Sequence, residues 1–372
     1  MTERTHDHVR MTEAVSLAQG SMVRTAPNPR VGCVIYSAEG RRLGAGVTAP
    51  PGGPHAEVCA LREVSSSGES LQGASVYVTL EPCSHHGRTP PCADALIRAG
   101  VARVVVGSLD PNPLVSGRGI ERLRASGIEV EVGVEGEACA RLHAPFFKWV
   151  TSGRPWVTLK GAMTLDGCLA TASGDSKWIT GLEARTHVHA LRAQSDAIMV
   201  GGETARLDRP QLNVRLVEGS DPTPVLLSRE LSLPRDLPCA RAGGLLFARE
   251  GVDPERVARW RARGLEVIEV PLEERGLSLP AVLDALGSRG VTRLLVEGGG
   301  RLHGALLEGR LADELKLYIA PKLIGRGRPL FNLSSANTIS EGLELKELRW
   351  EQLGDDLHLS GRLTPIKDRD QL

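Results

Sequence analysis

One imidazole, one carboxylate and two thiols stand at spacings that could bind and use a metal ion. The first two lie in His55-Ala56-Glu57. The thiols lie in Glu81-Pro82-Cys83-Ser84-His85-His86-Gly87-Arg88-Thr89-Pro90-Pro91-Cys92, nine positions apart, and flank a polar and basic loop. A catalytic zinc ion takes three protein ligands, keeps a fourth position for water, and works beside a general acid/base that is not itself a ligand. His55, Cys83 and Cys92 supply the ligands, and Glu57 the acid/base. Taken singly, His55 could be a helix-cap residue and each cysteine a core residue; the combination favours the metal.

Zinc deaminases carry His-x-Glu followed by Pro-Cys-x-x-Cys. Here eight residues separate the cysteines instead of two. The interposed loop holds His85, His86 and Arg88, side chains suited to a phosphate. A fourth protein ligand from His85 or His86 would close the open position.

These residues need elements to hold them. Val9 to Gln19 has a helical apolar spacing and ends at Gly20. Ala26-Pro27-Asn28-Pro29-Arg30 is an extended loop, and Val31–Ser37 and Arg42–Thr48 read as a hairpin. Pro51-Gly52-Gly53-Pro54 breaks the chain ahead of a helix from His55 to about Val64, so that His55 and Glu57 lie in its first turn. Ser75–Leu80 is a strand that delivers Cys83, and Pro90-Pro91-Cys92 opens the helix Ala93–Ala99. The strands Arg103–Ser108 and Ile128–Val132 alternate with the helices Gly119–Ser126 and Glu135–Lys148, which gives an α/β layered domain. After Thr151-Ser152-Gly153-Arg154-Pro155, a polar hinge, a second α/β series begins. Its strands are expected at Trp156–Lys160, Ala197–Gly201, Pro224–Ser228, Gly244–Ala248, Leu265–Val270, Arg293–Glu297, Glu314–Ile319, Leu345–Trp350 and Asp356–Leu363. Helices are expected at Glu183–Ala193, Leu279–Arg289 and Leu302–Leu307, with an Arg-rich one after Ala248. Gly298-Gly299-Gly300-Arg301, between a buried strand and a helix start, has the composition of a phosphate cradle. It lacks the spaced glycines of a dinucleotide fingerprint.

At 372 residues the chain has room for two domains, 1–150 and 151–372. Formal net charge is zero and aromatic content 3%, which gives no basis for nucleic acid or membrane as the main partner. The polar N-terminus carries no signal-peptide core, so a cytoplasmic location is expected. The odd number of cysteines, seven, argues against a disulfide framework, and Cys33, Cys139 and Cys168 read as core residues.

Ala26 to Gly32, His55 to Val58 and Glu81 to Cys92 together resemble the deaminase domain of the bifunctional riboflavin-biosynthesis deaminase/reductase family. The second half is similar to the same family's reductase domain at Leu159-Lys160, Thr164 to Gly167, Ala172 to Thr180, Leu191 to Ala197 and Val296 to Gly299. The resemblance implies a cytidine-deaminase-like three-layer domain followed by a dihydrofolate-reductase-like α/β domain. It implies zinc-dependent hydrolytic deamination of 2,5-diamino-6-(5-phospho-ribosylamino)pyrimidin-4(3H)-one, a small phosphorylated pyrimidine, and then NADPH-dependent reduction of the ribosyl group to ribityl. Carried over residue by residue, Asn28, His86 and Arg88 would hold the deaminase substrate. Ala162, Trp178, Thr204, Asp208, Ser228 and the turn Gly299, Gly300, Arg301, Leu302, His303, Gly304 and Ala305 would contact NADPH. Lys160, Ser176, Arg192, Leu212, Arg215 and Glu297 would hold the reductase substrate. A homo-oligomer, dimer or tetramer, is expected.

Two positions depart from the family pattern. Asp208-Arg209-Pro210 stands where the family typically has Asp-Asp-Pro, and Leu226-Leu227-Ser228 lacks the acid often found before the serine. They keep an alternative in view: a deaminase whose second domain is inactive and structural. A third reading is a zinc-stabilised binding module without chemistry.

Overall fold

The computed structural model describes residues 3–84, 90–112, 115–334 and 337–363. The chain divides into two compact units, Met1–Gly153 and Arg154–Leu372.

The first unit runs α1 (Glu3–Gly20), β1 (Gly32–Tyr36), β2 (Arg42–Val47), α2 (Ala56–Ser67), β3 (Ser75–Val78), α3 (Cys92–Ala99), β4 (Arg103–Val106), α4 (Arg118–Ala125), β5 (Glu129–Val132) and α5 (Gly136–Ser152). Its sheet has the order β2-β1-β3-β4-β5. β1 is antiparallel to β2 and β3, and β3, β4 and β5 are parallel. Period-two alternation sorts the strand residues onto two faces. Cys33, Ile35, Val76, Val78, Val104 and Val106 pack with Ala56, Ala60 and Val64 of α2 and with Ala93 and Leu96 of α3. Val34, Tyr77 and Val105 face the other way, onto Met11, Ala14 and Val15 of α1 and Cys139 of α5. The middle strands are thus covered on both faces, as parallel strands generally are.

α1 begins at Glu3, six residues before the expected Val9. Its first turns are anchored by charge instead of an apolar stripe. Buried Asp7 accepts hydrogen bonds from the Tyr77 hydroxyl at 2.7 Å and from two Arg103 nitrogens at 2.8 and 3.0 Å. A period search cannot see that.

The second unit runs β6 (Trp156–Thr164), β7 (Cys168–Thr171), α6 (Leu182–Ala193), β8 (Ala197–Gly201), α7 (Gly202–Asp208), β9 (Thr223–Leu227), β10 (Leu245–Arg249), α8 (Pro254–Arg261), β11 (Glu266–Val270), β12 (Leu272–Glu273), β13 (Gly276–Leu277), α9 (Leu279–Gly287), β14 (Arg293–Val296), α10 (Gly300–Glu308), β15 (Glu314–Ala320), β16 (Gly327–Pro329), a 3-10 turn Ile339–Glu341, β17 (Leu345–Leu353) and β18 (Asp356–Leu363). Nine strands form one sheet in the order β11-β10-β9-β8-β14-β6-β15-β18-β17. The run from β11 to β15 is parallel, and the last two strands are antiparallel. Alternation again splits the core: Val157, Met199, Val225, Phe247 and Leu294 on one face, Ile198, Val200, Leu226, Leu246 and Leu295 on the other.

The second unit departs from the expected elements at several places, among them β6, α7 and β7. β6 continues to Thr164 instead of ending at Lys160. α7 has no counterpart in the sequence reading because only Ala205 of its seven residues is buried, so it carries no apolar stripe. β7 was also missed: its partner is β16, more than 150 residues away in sequence.

Candidate metal centre and reductase cleft

In the first unit, His55 is the N-cap of α2 and Cys92 opens α3. His55 Nδ1 lies 3.6 Å from Cys83 Sγ and 3.3 Å from Cys92 Sγ. In tetrahedral zinc sites, bonds of about 2.1 Å to nitrogen and about 2.3 Å to sulfur put the ligand atoms roughly 3.6 Å apart. The three donors therefore fit a zinc ion, and the donor set is the soft one that zinc prefers. The backbone N–H of Cys92 also donates to Cys83 Sγ at 3.3 Å. Hydrogen bonding from Cys92, together with His55, pushes the Cys83 thiol down toward the thiolate form that ligates. Glu57, on the first turn of α2, is only 4% exposed. Burial, and then the negative charge at Cys83, raise its carboxyl to about 7. A carboxyl poised near neutrality can both take and return a proton.

Glu81 opens the stretch that carries both cysteines, and the fold gives it a bracing task. It is 4% exposed and accepts from the backbone N–H groups of Gly117 and Gly119, both at 3.0 Å, and of Asp110 at 3.4 Å. These bonds clamp the segment before α4 against the chain that leads to Cys83. A Cβ at Gly119 would fall 2.0 Å from the Pro82 carbonyl oxygen, so the approach is close. Glu81→Ala is expected to orphan these buried donors at a cost of about 1–3 kcal/mol and to loosen Cys83. Thermal unfolding and zinc content at limiting zinc check it. Unchanged values for both would mean that the clamp does not support the centre.

Asn28 is half-buried in a turn where its N–H donates to Thr25 O at 2.9 Å and its carbonyl accepts from the Thr25 hydroxyl at 3.0 Å. His86 and Arg88 lie outside the described residues.

In the second unit, an open cleft of about 2080 Å³ sits over the carboxyl ends of β8, β9 and β14 and along β6. Parallel sheets bind ligands at such strand ends. Of the residues expected at NADPH, Ala162, Trp178, Thr204, Asp208, Ser228, Gly299, Gly300, Arg301, Leu302 and Ala305 line the cleft. Gly299 is the N-cap of α10, whose amide end faces an anion well. A Cβ at Gly299 would stand 3.3 Å from Thr204 Oγ1, and one at Gly300 would meet the Pro329 carbonyl oxygen at 2.8 Å. The turn thus presents bare backbone, which suits a phosphate-bearing cofactor. His303 and Gly304 are not among the lining residues. His303 is fully buried, and a Cβ at Gly304 would strike the Asn332 carbonyl oxygen at 2.1 Å.

Of the residues expected at the reductase substrate, Lys160, Ser176, Arg192, Arg215 and Glu297 line the same cleft. Leu212, expected with them, is 1% exposed and packs in the core formed with Ile198 and Leu226. Arg192 forks both Glu297 oxygens, at 2.6 and 2.8 Å, and donates to the Asn213 carbonyl at 3.0 Å. Burial alone would raise the Glu297 carboxyl. The charge and hydrogen bonds of Arg192, with Lys160 beyond, outweigh it and hold the group at about 2. Lys160 is lowered by burial, though Glu297 opposes this. Arg185, which the sequence reading passed over, also lines the cleft and stacks on Trp178, its guanidinium carbon 4.3 Å from the ring centre. Burial, then Arg192 and Arg185, lower Arg215. With Arg185 and Arg192 close enough to Arg215 to lower it, the cleft gathers more positive charge than Glu297 alone neutralises, which suits an anion.

A family model described as the RibD C-terminal domain matches residues 155–359, and one for the cytidine and deoxycytidylate deaminase zinc-binding region matches residues 4–108. The riboflavin biosynthesis protein RibD of Aquifex aeolicus is 42% identical over 93% of this chain and 96% of its own. The solved structure of Acinetobacter baumannii RibD covers 98% of this chain and all of its own, with 38% identity and a TM-score of 0.85. A Thermotoga maritima structure, named as a diaminohydroxyphosphoribosylaminopyrimidine deaminase/5-amino-6-(5-phosphoribosylamino)uracil reductase, matches over 98% of this chain and all of its own, with 34% identity and a TM-score of 0.84. No described helix is long and apolar enough to cross a membrane. With both halves matched along nearly their whole length, the chain belongs to the RibD family of bifunctional deaminase/reductases of riboflavin biosynthesis, which use zinc in the deaminase half and NADPH in the reductase half.

Proposed function

We propose that the substrate is 2,5-diamino-6-(5-phospho-ribosylamino)pyrimidin-4(3H)-one. It is deaminated in domain 1–150, and its ribosyl group is then reduced to ribityl in domain 151–372. The observation that carries the first step is a buried Glu57 beside three converging zinc donors. Zinc, held by His55, Cys83 and Cys92, supplies the Lewis acidity that makes water nucleophilic near neutral pH. Glu57 accepts the proton released at attack and delivers it to the ring nitrogen. It then takes the second proton from the new hydroxyl and delivers it to the amine, which leaves as ammonia as the C–N bond breaks and the carbonyl forms. Asn28, His86 and Arg88 position the pyrimidine and its phosphate.

For the second step NADPH supplies the hydride. Thr204, Ser228 and the turn from Gly299 hold the cofactor along the cleft. Arg192 and Arg215, with Arg185, take the substrate phosphate. Ser176 and Glu297 fix the sugar, and Lys160 orients the carbonyl that opens from it. Such a reaction needs no covalent intermediate, only two reactants held in register.

The departure at Arg209 is accommodated locally. Its guanidinium turns to Asp236, reaching the carboxylate at 2.6 Å and the backbone carbonyl at 3.0 Å. Exposed pairs of this kind contribute little, so Arg209→Ala should change reductase kcat/KM by less than about threefold. A loss beyond about thirtyfold would give Arg209 a direct part.

One assay tests the whole reading. Ammonia release and NADPH oxidation are scored separately on the phosphorylated diaminopyrimidine. Both signals are expected. Ammonia without NADPH oxidation would return the second domain to a structural role.

A cytoplasmic site of action fits thiolate metal ligands and free cysteines, which persist under reducing conditions. A homo-oligomer is supported by β17, an edge strand with Leu348 and Trp350 exposed.

A further inference from the structure

We propose that His187, Glu351 and His358 form a second metal site, distinct from the cysteine centre, that takes one divalent transition ion such as Zn2+, Co2+ or Ni2+. The register of the sheet builds it. Tyr318 on β15 pairs with His358 on β18, and His358 pairs with Glu351 on β17. Directly paired residues share a face of a sheet, so the three side chains form one row across the last three strands. α6 adds His187 to this row: its ring centre is 4.7 Å from that of His358.

The donor atoms converge. Each residue offers one ligand atom, and these lie within 4.8 Å of one another. Glu351 Oε1 is 2.9 Å from His358 Nδ1 and 4.0 Å from His187 Nε2. Tetrahedral zinc with bonds of about 2.0–2.2 Å needs such atoms roughly 3.4 Å apart. The adjustment falls on Glu351, whose side chain is 56% exposed and free to swing.

Two further observations point to a ligand. The Tyr318 hydroxyl lies 2.7 Å from His187 Nδ1, which fixes the ring and leaves Nε2 toward Glu351. Metal-ligating histidines are generally oriented in this way, through their second nitrogen. His358 is 4% exposed, and its Nδ1 faces Glu351 Oε1 at 2.9 Å, so a buried imidazole nitrogen is turned into the cluster. The nearby cation Lys316 is paired with Glu314 at 3.1 Å.

Two imidazoles and one carboxylate suit Zn2+, Co2+ and Ni2+ and discriminate against Ca2+ and Mg2+, which seek oxygen. Nothing at the site offers a thiolate. An ion here would tie α6 to the β17–β18 hairpin, and α6 also carries Arg185 and Arg192 of the cleft.

Titration of the metal-free full-length protein with Co2+ separates the two sites. Occupancy of the cysteine centre gives intense thiolate-to-cobalt charge-transfer absorption. Occupancy of the proposed site adds only weak visible bands from nitrogen and oxygen ligation. Two equivalents are expected for the wild type. His187→Ala and Glu351→Gln should each weaken the equivalent without charge transfer by at least about 100-fold, the upper cost of losing a mere hydrogen-bond partner of a ligand, with the thiolate signal unchanged. Glu351→Gln alters an exposed side chain and keeps the test sound if His187→Ala disturbs α6. Saturation of the wild type at one equivalent overturns the proposal, and so does a second equivalent that persists in both variants.

Discussion

Glu57→Gln should abolish ammonia release, lowering deaminase kcat by about 10³–10⁴-fold, while NADPH oxidation on the deaminated pyrimidine stays at the wild-type rate. General acid–base groups contribute roughly 10²–10⁴-fold, and here one carboxyl serves both directions of proton transfer, so the upper part of that range applies. The substitution is nearly isosteric. It keeps the volume of a side chain that is 4% exposed and removes a carboxyl that burial raises toward neutrality. Glu57 follows the N-cap His55 by two positions, and its own atoms are not among the metal donors. Zinc content should therefore match the wild type. That result separates Glu57 from Cys83→Ser or Cys92→Ser, which should lose both the zinc of this centre and the activity. A fall of less than about tenfold in Glu57→Gln would remove the residue from the proton path.

The legible parts of this protein were those written in local pattern. Val104-Val105-Val106 is apolar throughout because β4 is covered on both faces, and such a run reads as a buried strand from sequence alone. His55, Cys83 and Cys92 were legible because proline breaks and helix starts sit beside them. What stayed hidden depends on long-range pairing. Glu81 reads as a loop acid until the fold brings Gly117 and Gly119 to its oxygens. Arg185 was passed over because a lone arginine in a helix is usually solvated; only the folded cleft puts it over Trp178 and near Arg215. The row Tyr318–His358–Glu351 is a matter of sheet register, which single residues do not encode. Leu212, expected at substrate, shows the opposite case: its neighbours in sequence, Gln211 and Arg215, line the cleft while its own side chain fills the core.

The pair Arg192–Glu297 offers the sharpest separation of stability from function. Their side chains are 11% and 12% exposed, so removing one partner strands a charge. Glu297→Gln should destabilise the second unit by about 3–5 kcal/mol, the usual cost of breaking a buried pair. Arg192→Met should cost a similar amount, because the carboxylate would lose its bidentate partner and keep only the weaker influence of Lys160 and Arg215. Both single variants should lose reductase turnover by at least about 10²-fold and leave ammonia release intact. The double variant is the informative one. Replacing a whole buried ion pair with neutral groups is often neutral for stability, so Arg192→Met with Glu297→Gln should regain most of the lost melting temperature. It should regain no reductase activity, because a methionine cannot hold a phosphate and a glutamine brings no negative charge to the sugar. Recovery of both would make the pair a structural clamp. Recovery of stability alone would show that the desolvation of two charges is tolerated here because the substrate needs them.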